Sequence, residues 1–287
     1  MIDHATVESS GVRLHVATAG DPANPTVVLI HGWPDSWRCW GGVIGHLVQR
    51  FHVVAYDQRG FGWSGMPKGT DAYGMERAVG DLAAVMDHVG VGRASVVGHD
   101  FGGAVVWNAG SFVPDLVERG VVVAAPHPLR LRQVAAEGPD QLRRAFYVWL
   151  LHAGEAGERL LAAQGFEPFA RWVFAGSKIA PEIVAEHVAT WSEPGRFTAM
   201  AEWYRAAYRP DLLNPDVPLD LPPVTVPIRY LHGEYDFGFA PEAATGSGAF
   251  VDAPYEESVV PGATHWLPYD APAEVARVIT DWLLPDG

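Results

Sequence analysis

Short apolar runs alternate with amphipathic stretches along the first half of the chain. Runs rich in β-branched residues, bounded by Gly, Pro, Asp or Asn, predict strands, and apolar residues at helical spacing predict helices between them. This alternation predicts an α/β fold with a mainly parallel sheet and helices on both faces. The predicted strands are 11–17, 26–30, 52–56, 94–97 and 120–124, and the predicted helices are 36–50, 73–89 and one that ends near 113.

The pattern changes after Pro126. Residues 127–223 show helical spacing, many aromatic residues and no strand pattern, whereas strand patterns return at 228–232 and 257–260 before a last helix near 272–284. We therefore predict a core made of residues 1–126 and 224–287, with residues 127–223 inserted as a helical cap. Such an insertion is expected over the carboxyl edge of the sheet, where folds of this kind bind ligands.

Composition and charge exclude several classes of protein. A hydrophobic fraction of 48% over 287 residues supplies a packed core. Cys39 is the single cysteine, which excludes an intramolecular disulfide framework and an all-cysteine metal site. The net charge of −14 argues against a nucleic-acid partner. The start of the chain lacks a signal-peptide pattern, and no apolar run could span a bilayer, so we expect a soluble, cytoplasmic protein with no membrane partner.

The most specific motif is V-V-G-H-D-F-G-G at residues 96–103, directly after a predicted strand and at the start of a predicted helix. The nucleophile elbow G-x-S-x-G needs this context, because its glycines flank a strained turn that lifts one side chain above the sheet edge. Asp100 occupies the nucleophile position here, and no serine does. The alternative is a plain strand-to-helix turn in which Asp100 caps the helix.

A second motif, H-G-W-P at residues 31–34, follows the strand predicted at 26–30. In hydrolases of this layout, a backbone N–H of this loop and the N–H after the nucleophile form an oxyanion hole. Those donors would be Trp33 and Phe101. An ordinary Gly-Pro turn is the alternative.

Asp236 and His265 complete the chain order of nucleophile, acid and histidine. Each comes just past a late predicted strand, where the triads of α/β hydrolases gather. Glu234 is the alternative acid. Asp57 also follows a strand, but we interpret its loop, residues 57–62, as structural.

Together these motifs resemble the α/β-hydrolase superfamily and, within it, the epoxide hydrolases, over essentially the whole chain. H-G-W-P-D-S-W is similar to the oxyanion loop of that family, and residues 98–103 are similar to its elbow. The resemblance implies two cap tyrosines that polarise the epoxide oxygen, and it points to Tyr147 and to Tyr204 in its Trp-Tyr-Arg context. The alternative for either tyrosine is a packed core residue. Phe101 departs from the pattern, because a tryptophan is more usual there.

An aspartate nucleophile needs no base to activate it and can displace a leaving group from saturated carbon. The resulting alkyl ester on Asp100 would be hydrolysed by water that His265, oriented by Asp236, deprotonates. We expect a mostly apolar epoxide as substrate and water as co-substrate. We expect neither a cofactor nor a metal, since the histidines show no zinc-protease spacing.

Two other functions stay open. A haloalkane or haloacid dehalogenase would use the same aspartate, but the dehalogenases commonly carry other residues where this chain has Trp33, Phe101 and Tyr147-Val148. A non-catalytic ligand receptor would have no use for the complete set of Asp100, Asp236 and His265. The sequence does not specify which epoxide is accepted or the oligomeric state.

Overall fold

In the computed structural model, which describes residues 1–209, 214 and 216–284, eight strands form one sheet. Their spatial order is β1-β2-β4-β3-β5-β6-β7-β8, with antiparallel pairing of β1 with β2 and of β2 with β4 and parallel pairing elsewhere. The strands are β1 (Asp3–Ser9), β2 (Val12–Ala19), β3 (Thr26–Ile30), β4 (His52–Tyr56), β5 (Ala94–His99), β6 (Val117–Val123), β7 (Ile228–Tyr235) and β8 (Tyr255–Thr264).

The predicted α/β architecture is confirmed, and strands β3 and β4 have the predicted bounds. Strands β7 and β8 extend beyond the predicted 228–232 and 257–260. Strand β1 was not predicted. It is an edge strand in which only Val7 and Ser9 are buried, so its sequence lacks the apolar run that marked the central strands.

Helices cover both faces of the sheet and create two apolar cores. Leu82 and Val105 belong to the core on one face, and Val43 and Ile279 belong to the core on the other. The helices that cover the sheet are α1 (Gly41–Leu47), α2 (Met75–His88), α3 (Phe101–Phe112), α11 (Leu267–Asp270) and α12 (Pro272–Leu283).

The remaining helices lie between β6 and β7 in the chain, and we call them the cap helices. Residues 210–213 and Pro215 of the predicted cap lie outside the described residues, and the domain bounds of 127–223 stay a prediction. None of the described helices is long and apolar enough to cross a membrane. The cap helices are α4 (Pro128–Glu137), α5 (Pro139–Arg144), α6 (Phe146–His152), α7 (Glu155–Leu161), α8 (Glu167–Val173), α9 (Pro181–Trp191) and α10 (Arg196–Ala207).

The sheet topology brings distant parts of the sequence to one edge. Strands β3, β5, β7 and β8 run parallel, so the residues that follow them meet at their common carboxyl edge. His31, Asp100, Asp236 and His265 each come directly after one of these strands.

Candidate active site

Asp100 lies on a strained turn between β5 and α3. Its φ is 51° and its ψ is −117°, a conformation that is rare for a residue with a side chain. The turn is tight enough to require glycine nearby. A Cβ on Gly98 would lie 2.1 Å from the carbonyl oxygen of Gly102, and one on Gly102 would lie 2.1 Å from that of Ile30. The Asp100 side chain makes no capping hydrogen bond to α3, so the interpretation of this turn as a plain helix cap is wrong.

Two backbone N–H groups stabilise the Asp100 carboxylate. The N–H of Trp33 donates to Asp100 Oδ1 at 2.8 Å, and the N–H of Phe101 also favours the charged carboxylate. Trp33 precedes a cis peptide bond to Pro34. These are the two donors expected for the oxyanion hole, and both point to the same carboxyl group.

His265 lies between two carboxylates. Its Nδ1 is 2.9 Å from Asp236 Oδ2, and its Nε2 is 3.7 Å from Asp100 Oδ2. Asp236 Oδ1 in turn accepts the backbone N–H groups of Gly238 and Phe239. The alternative acid, Glu234, instead accepts the N–H of Gly262 at an exposed position. The structure therefore brings Asp236 to His265, and not Glu234.

The charges of this cluster stabilise one another against the cost of burial. Burial raises the pKa of Asp100, and the opposing effects of His265 and the two N–H donors do not cancel this rise. Burial also raises the pKa of Asp236, but the charge and hydrogen bond of His265 bring it below its usual value. Burial lowers the pKa of His265, and the charges of Asp236 and Asp100, with the Asp236 hydrogen bond, outweigh that effect and raise it. The surroundings thus favour the charged form of Asp236, whereas burial opposes the charged form of Asp100.

Two tyrosines from different cap helices meet above Asp100. Tyr147 on α6 and Tyr204 on α10 place their hydroxyl oxygens 2.9 Å apart. Burial raises the pKa of both phenols, and the negative charge of Asp100 raises it further. Both hydroxyls are therefore protonated at neutral pH and able to donate a hydrogen bond or a proton.

Asp100 and both tyrosines line one cavity with a volume of about 130 Å³. Most of its walls are apolar, with Phe101, Leu131 and Phe239 among them. No group of three or more His, Cys, Asp or Glu side chains suited to a metal ion occurs among the residues that the structure describes. The arrangement therefore suits a small molecule with an apolar body and one polar, reactive atom.

Sequence reasoning missed two residues at this site. Tyr208 lines the cavity, and burial together with the charge of Asp100 raises its pKa. Its spacing of four residues from Tyr204, one helical turn, was a signal that could have identified it. His99 donates from Nε2 to the carbonyl oxygen of His265 at 2.9 Å, and burial lowers its pKa to about 3, so the ring is neutral. No sequence signal distinguishes it from the other histidines.

Comparison with known proteins gives the family. Residues 25–154 match the family model of the alpha/beta hydrolase fold. The chain is 31% identical to epoxide hydrolase 3 of Xenopus tropicalis over 98% of this chain and 77% of that protein. It is 30% identical to the AB hydrolase superfamily protein YfhM of Bacillus subtilis (strain 168) over 96% of each. A solved structure described under "Novel epoxide hydrolases belonging to the alpha/beta hydrolases superfamily in metagenomes from hot environments" superimposes with a TM-score of 0.87, 27% identity and coverage of 99% of each chain. The chain therefore belongs to the epoxide hydrolases of the α/β-hydrolase superfamily.

Proposed function

We propose that this epoxide hydrolase converts small, mostly apolar epoxides into vicinal diols through an alkyl ester on Asp100. The observation that carries the proposal is the convergence of the Asp100 carboxyl group and the hydroxyls of Tyr147 and Tyr204 on one apolar cavity. Asp100 supplies a nucleophile, and Tyr147 with Tyr204 supplies paired donors for the oxygen that leaves carbon.

In the first half-reaction, Asp100 attacks a ring carbon of the epoxide. Oδ1 is held by the N–H of Trp33, so Oδ2 is the oxygen that forms the new C–O bond. The ring C–O bond breaks at the same carbon, and its electron pair stays on the epoxide oxygen. Tyr147 or Tyr204 donates a proton to that oxygen, because an alkoxide is a poor leaving group without one.

In the second half-reaction, water hydrolyses the ester. His265 Nε2 takes a proton from water, and the water oxygen bonds to Cγ of Asp100. The negative charge that develops on Oδ1 is stabilised by the N–H groups of Trp33 and Phe101. The Cγ–Oδ2 bond then breaks, the departing diol oxygen takes the proton from His265, and the proton left on the Asp100 carboxyl group returns to the tyrosinate.

The rival reaction is dehalogenation, which would use the same aspartate. A halide leaves without a proton, so a pair of buried, protonated phenols beside the nucleophile favours the epoxide. The test is a turnover screen of aromatic and aliphatic epoxides beside haloalkanes and fluoroacetate, with Asp100→Asn as the inactive control. We expect diol from epoxides and no halide from the others. Halide release without diol formation would reject the proposal in favour of a dehalogenase.

A further inference from the structure

Cap helix α9 holds the loop that carries Trp33. On the helix, His187 and Trp191 are one turn apart and therefore lie on one face. The Nε2–H of His187 meets Asp35 Oδ1 at 3.0 Å, and the Nε1–H of Trp191 donates to the carbonyl oxygen of Pro34 at 2.9 Å. Their two rings are stacked with an angle of 6° between their planes. Both side chains are buried, so these bonds are shielded from water.

Asp35 is a buried carboxylate that depends on this contact. Its Oδ1 also accepts the backbone N–H of Ser36 at 2.7 Å and the hydroxyl of Tyr269 at 3.0 Å. Its Oδ2 is buried and has no hydrogen-bond partner among the described residues. Burial raises the pKa of Asp35, but the interactions with His187, the N–H of Ser36 and His31 together lower it below its usual value. Since each partner lost by a buried carboxylate is costly, the His187 contact helps to hold Asp35 in this position.

The same loop sets the direction of one oxyanion donor. Trp33 directly precedes the two loop residues that α9 holds, and the N–H of Asp35 closes a turn back to the carbonyl oxygen of Gly32 at 3.1 Å. Pro34 and Asp35 are thus anchored next to Trp33 in the chain, and the Trp33 N–H itself donates to Asp100 Oδ1. A shift of Asp35 would turn the Trp33 N–H away from Asp100 Oδ1.

We propose that His187 is a positioning residue for ester hydrolysis: through Asp35 it holds the Trp33 N–H in line with the developing oxyanion. This inference rests on the proposed function. It assigns the contact to the second half-reaction because ring opening is assisted by Tyr147 and Tyr204, which lie on α6 and α10. Alkylation consumes the charge of the Asp100 carboxylate, whereas ester hydrolysis builds negative charge up on Oδ1. The His187–Asp35 contact also links the packing of α9 against the core to the orientation of the Trp33 N–H.

The first test separates the two half-reactions in His187→Phe, which removes the N–H and keeps a ring beside those of Phe174 and Trp191. We expect the rate constant of ester hydrolysis to fall by about tenfold, because a donor is misaligned rather than removed. Alkylation should change by no more than about twofold. His187→Gln, which keeps an N–H donor, should recover part of the loss. Rapid quenching followed by intact-mass measurement gives both rate constants.

A matched control is His52→Phe. His52 is also buried, but it lies at the start of β4, at the opposite edge of the sheet from the site. The His52→Phe variant should have a lower midpoint of thermal unfolding and an unchanged ratio of the alkylation and ester-hydrolysis rate constants. An equal fall of both rate constants in His187→Phe, or no change in either, would overturn the inference.

The second test measures the oxyanion hole directly and does not depend on the His187→Phe variant. In a His265→Gln background the ester should persist, and the infrared stretch of its carbonyl reports the hydrogen bonds to Oδ1. Asp35→Asn in that background should move the stretch to higher wavenumber, and an unchanged stretch would reject the inference. If no ester forms on Asp100 even in His265→Gln with its oxyanion loop intact, the proposed function fails and the inference with it. An ester that forms and decays normally in His187→Phe rejects the inference alone.

Discussion

Two of the buried histidine–aspartate pairs of this protein have nearly equal lengths but different surroundings. His265 and Asp236 are 2.9 Å apart, and His15 and Asp57 are 2.8 Å apart. Both carboxylates also accept two backbone N–H groups. Asp236 accepts those of Gly238 and Phe239, and Asp57 accepts those of Trp37 and Trp63.

The two pairs differ in the group that lies next to Nε2 of each histidine. Nε2 of His265 lies 3.7 Å from Oδ2 of Asp100, the proposed nucleophile, whereas Nε2 of His15 bonds Nδ1 of His4, an exposed residue of the edge strand. A paired, buried histidine is therefore not by itself a catalytic one. The position of Asp236 and His265 after parallel strands that converge with the elbow makes the difference. Asp57 instead fixes two loops, which agrees with its interpretation as structural.

The largest expected effect is that of His265→Gln compared with His15→Gln. The first removes the general base and should reduce steady-state turnover by about 10⁴-fold while leaving the alkylated protein to accumulate. The second should leave turnover within about twofold and destabilise the fold by about 1–3 kcal/mol, since it weakens a buried hydrogen bond. Steady-state kinetics and chemical unfolding of both variants measure the contrast. Comparable loss of turnover in both would mean that the two pairs are not functionally different.

The next contrast is Asp236→Asn against Asp57→Asn. Asparagine at 236 no longer holds the His265 tautomer or stabilises its positive charge, so turnover should fall by between about 10² and 10⁴. Asparagine at 57 should leave turnover nearly unchanged but cost roughly 3–5 kcal/mol of unfolding free energy, as breaking a buried pair does. Turnover per correctly folded molecule, measured beside urea unfolding, separates the two outcomes. Full activity in Asp236→Asn would remove Asp236 from the mechanism.

The same comparison shows which residues of the site could be predicted from the sequence. Asp100, Asp236 and His265 could be singled out because each comes a few residues after a predicted strand, and parallel strands bring such positions together. His15 lies inside β2, and its partner is 42 residues away. The partners His187 and Asp35 lie on a cap helix and in a core loop. Nothing local marks such pairs among 12 histidines, because side-chain partners across layers are set by packing and not by periodicity.

The fold, too, contains elements that the sequence pattern predicts and elements that it does not. Strands β3 and β4 were predicted to the residue, because burial demands a continuous apolar run in each. Edge strand β1 was missed because half of its residues face water. The cap could be predicted as helical, but the meeting of Tyr147 and Tyr204 depends on how α6 and α10 pack, and family resemblance, not periodicity, pointed to that pair.

A smaller effect is expected for single substitutions of the cap tyrosines, because each can partly replace the other. Tyr147→Phe or Tyr204→Phe should slow alkylation by about 10²-fold or less, at the lower end of what losing one donor to a developing charge costs. The double variant should nearly abolish epoxide opening and keep its fold, as only two hydroxyls are lost. Single-turnover alkylation rates and circular dichroism check this. A double variant that opens epoxides at the parental rate would rule out the tyrosines as proton donors.

The smallest expected effect is a shift in pH dependence between the two half-reactions. The charge of Asp100 contributes to the raised pKa of His265, and esterification removes that charge. The pKa of His265 should therefore be lower in the ester than in the free protein. Because His265 must be neutral to act as a base, ester hydrolysis should persist to lower pH than the titration of free His265 suggests. Stopped-flow tryptophan fluorescence across pH, beside an NMR titration of His265, measures both values. Identical values would mean that Asp100 does not influence His265.

The covalent Asp100 ester is the central claim, and a single turnover in ¹⁸O-labelled water tests it most directly. Protein in excess over epoxide is allowed to turn over once, and the diol and the peptide that contains Asp100 are analysed by mass spectrometry. Because water attacks Cγ of Asp100 and Oδ2 leaves with the diol, we predict one ¹⁸O atom in the Asp100 carboxylate and an unlabelled diol. Label in the diol with none in Asp100 would mean that water attacks the epoxide directly, and would contradict the account.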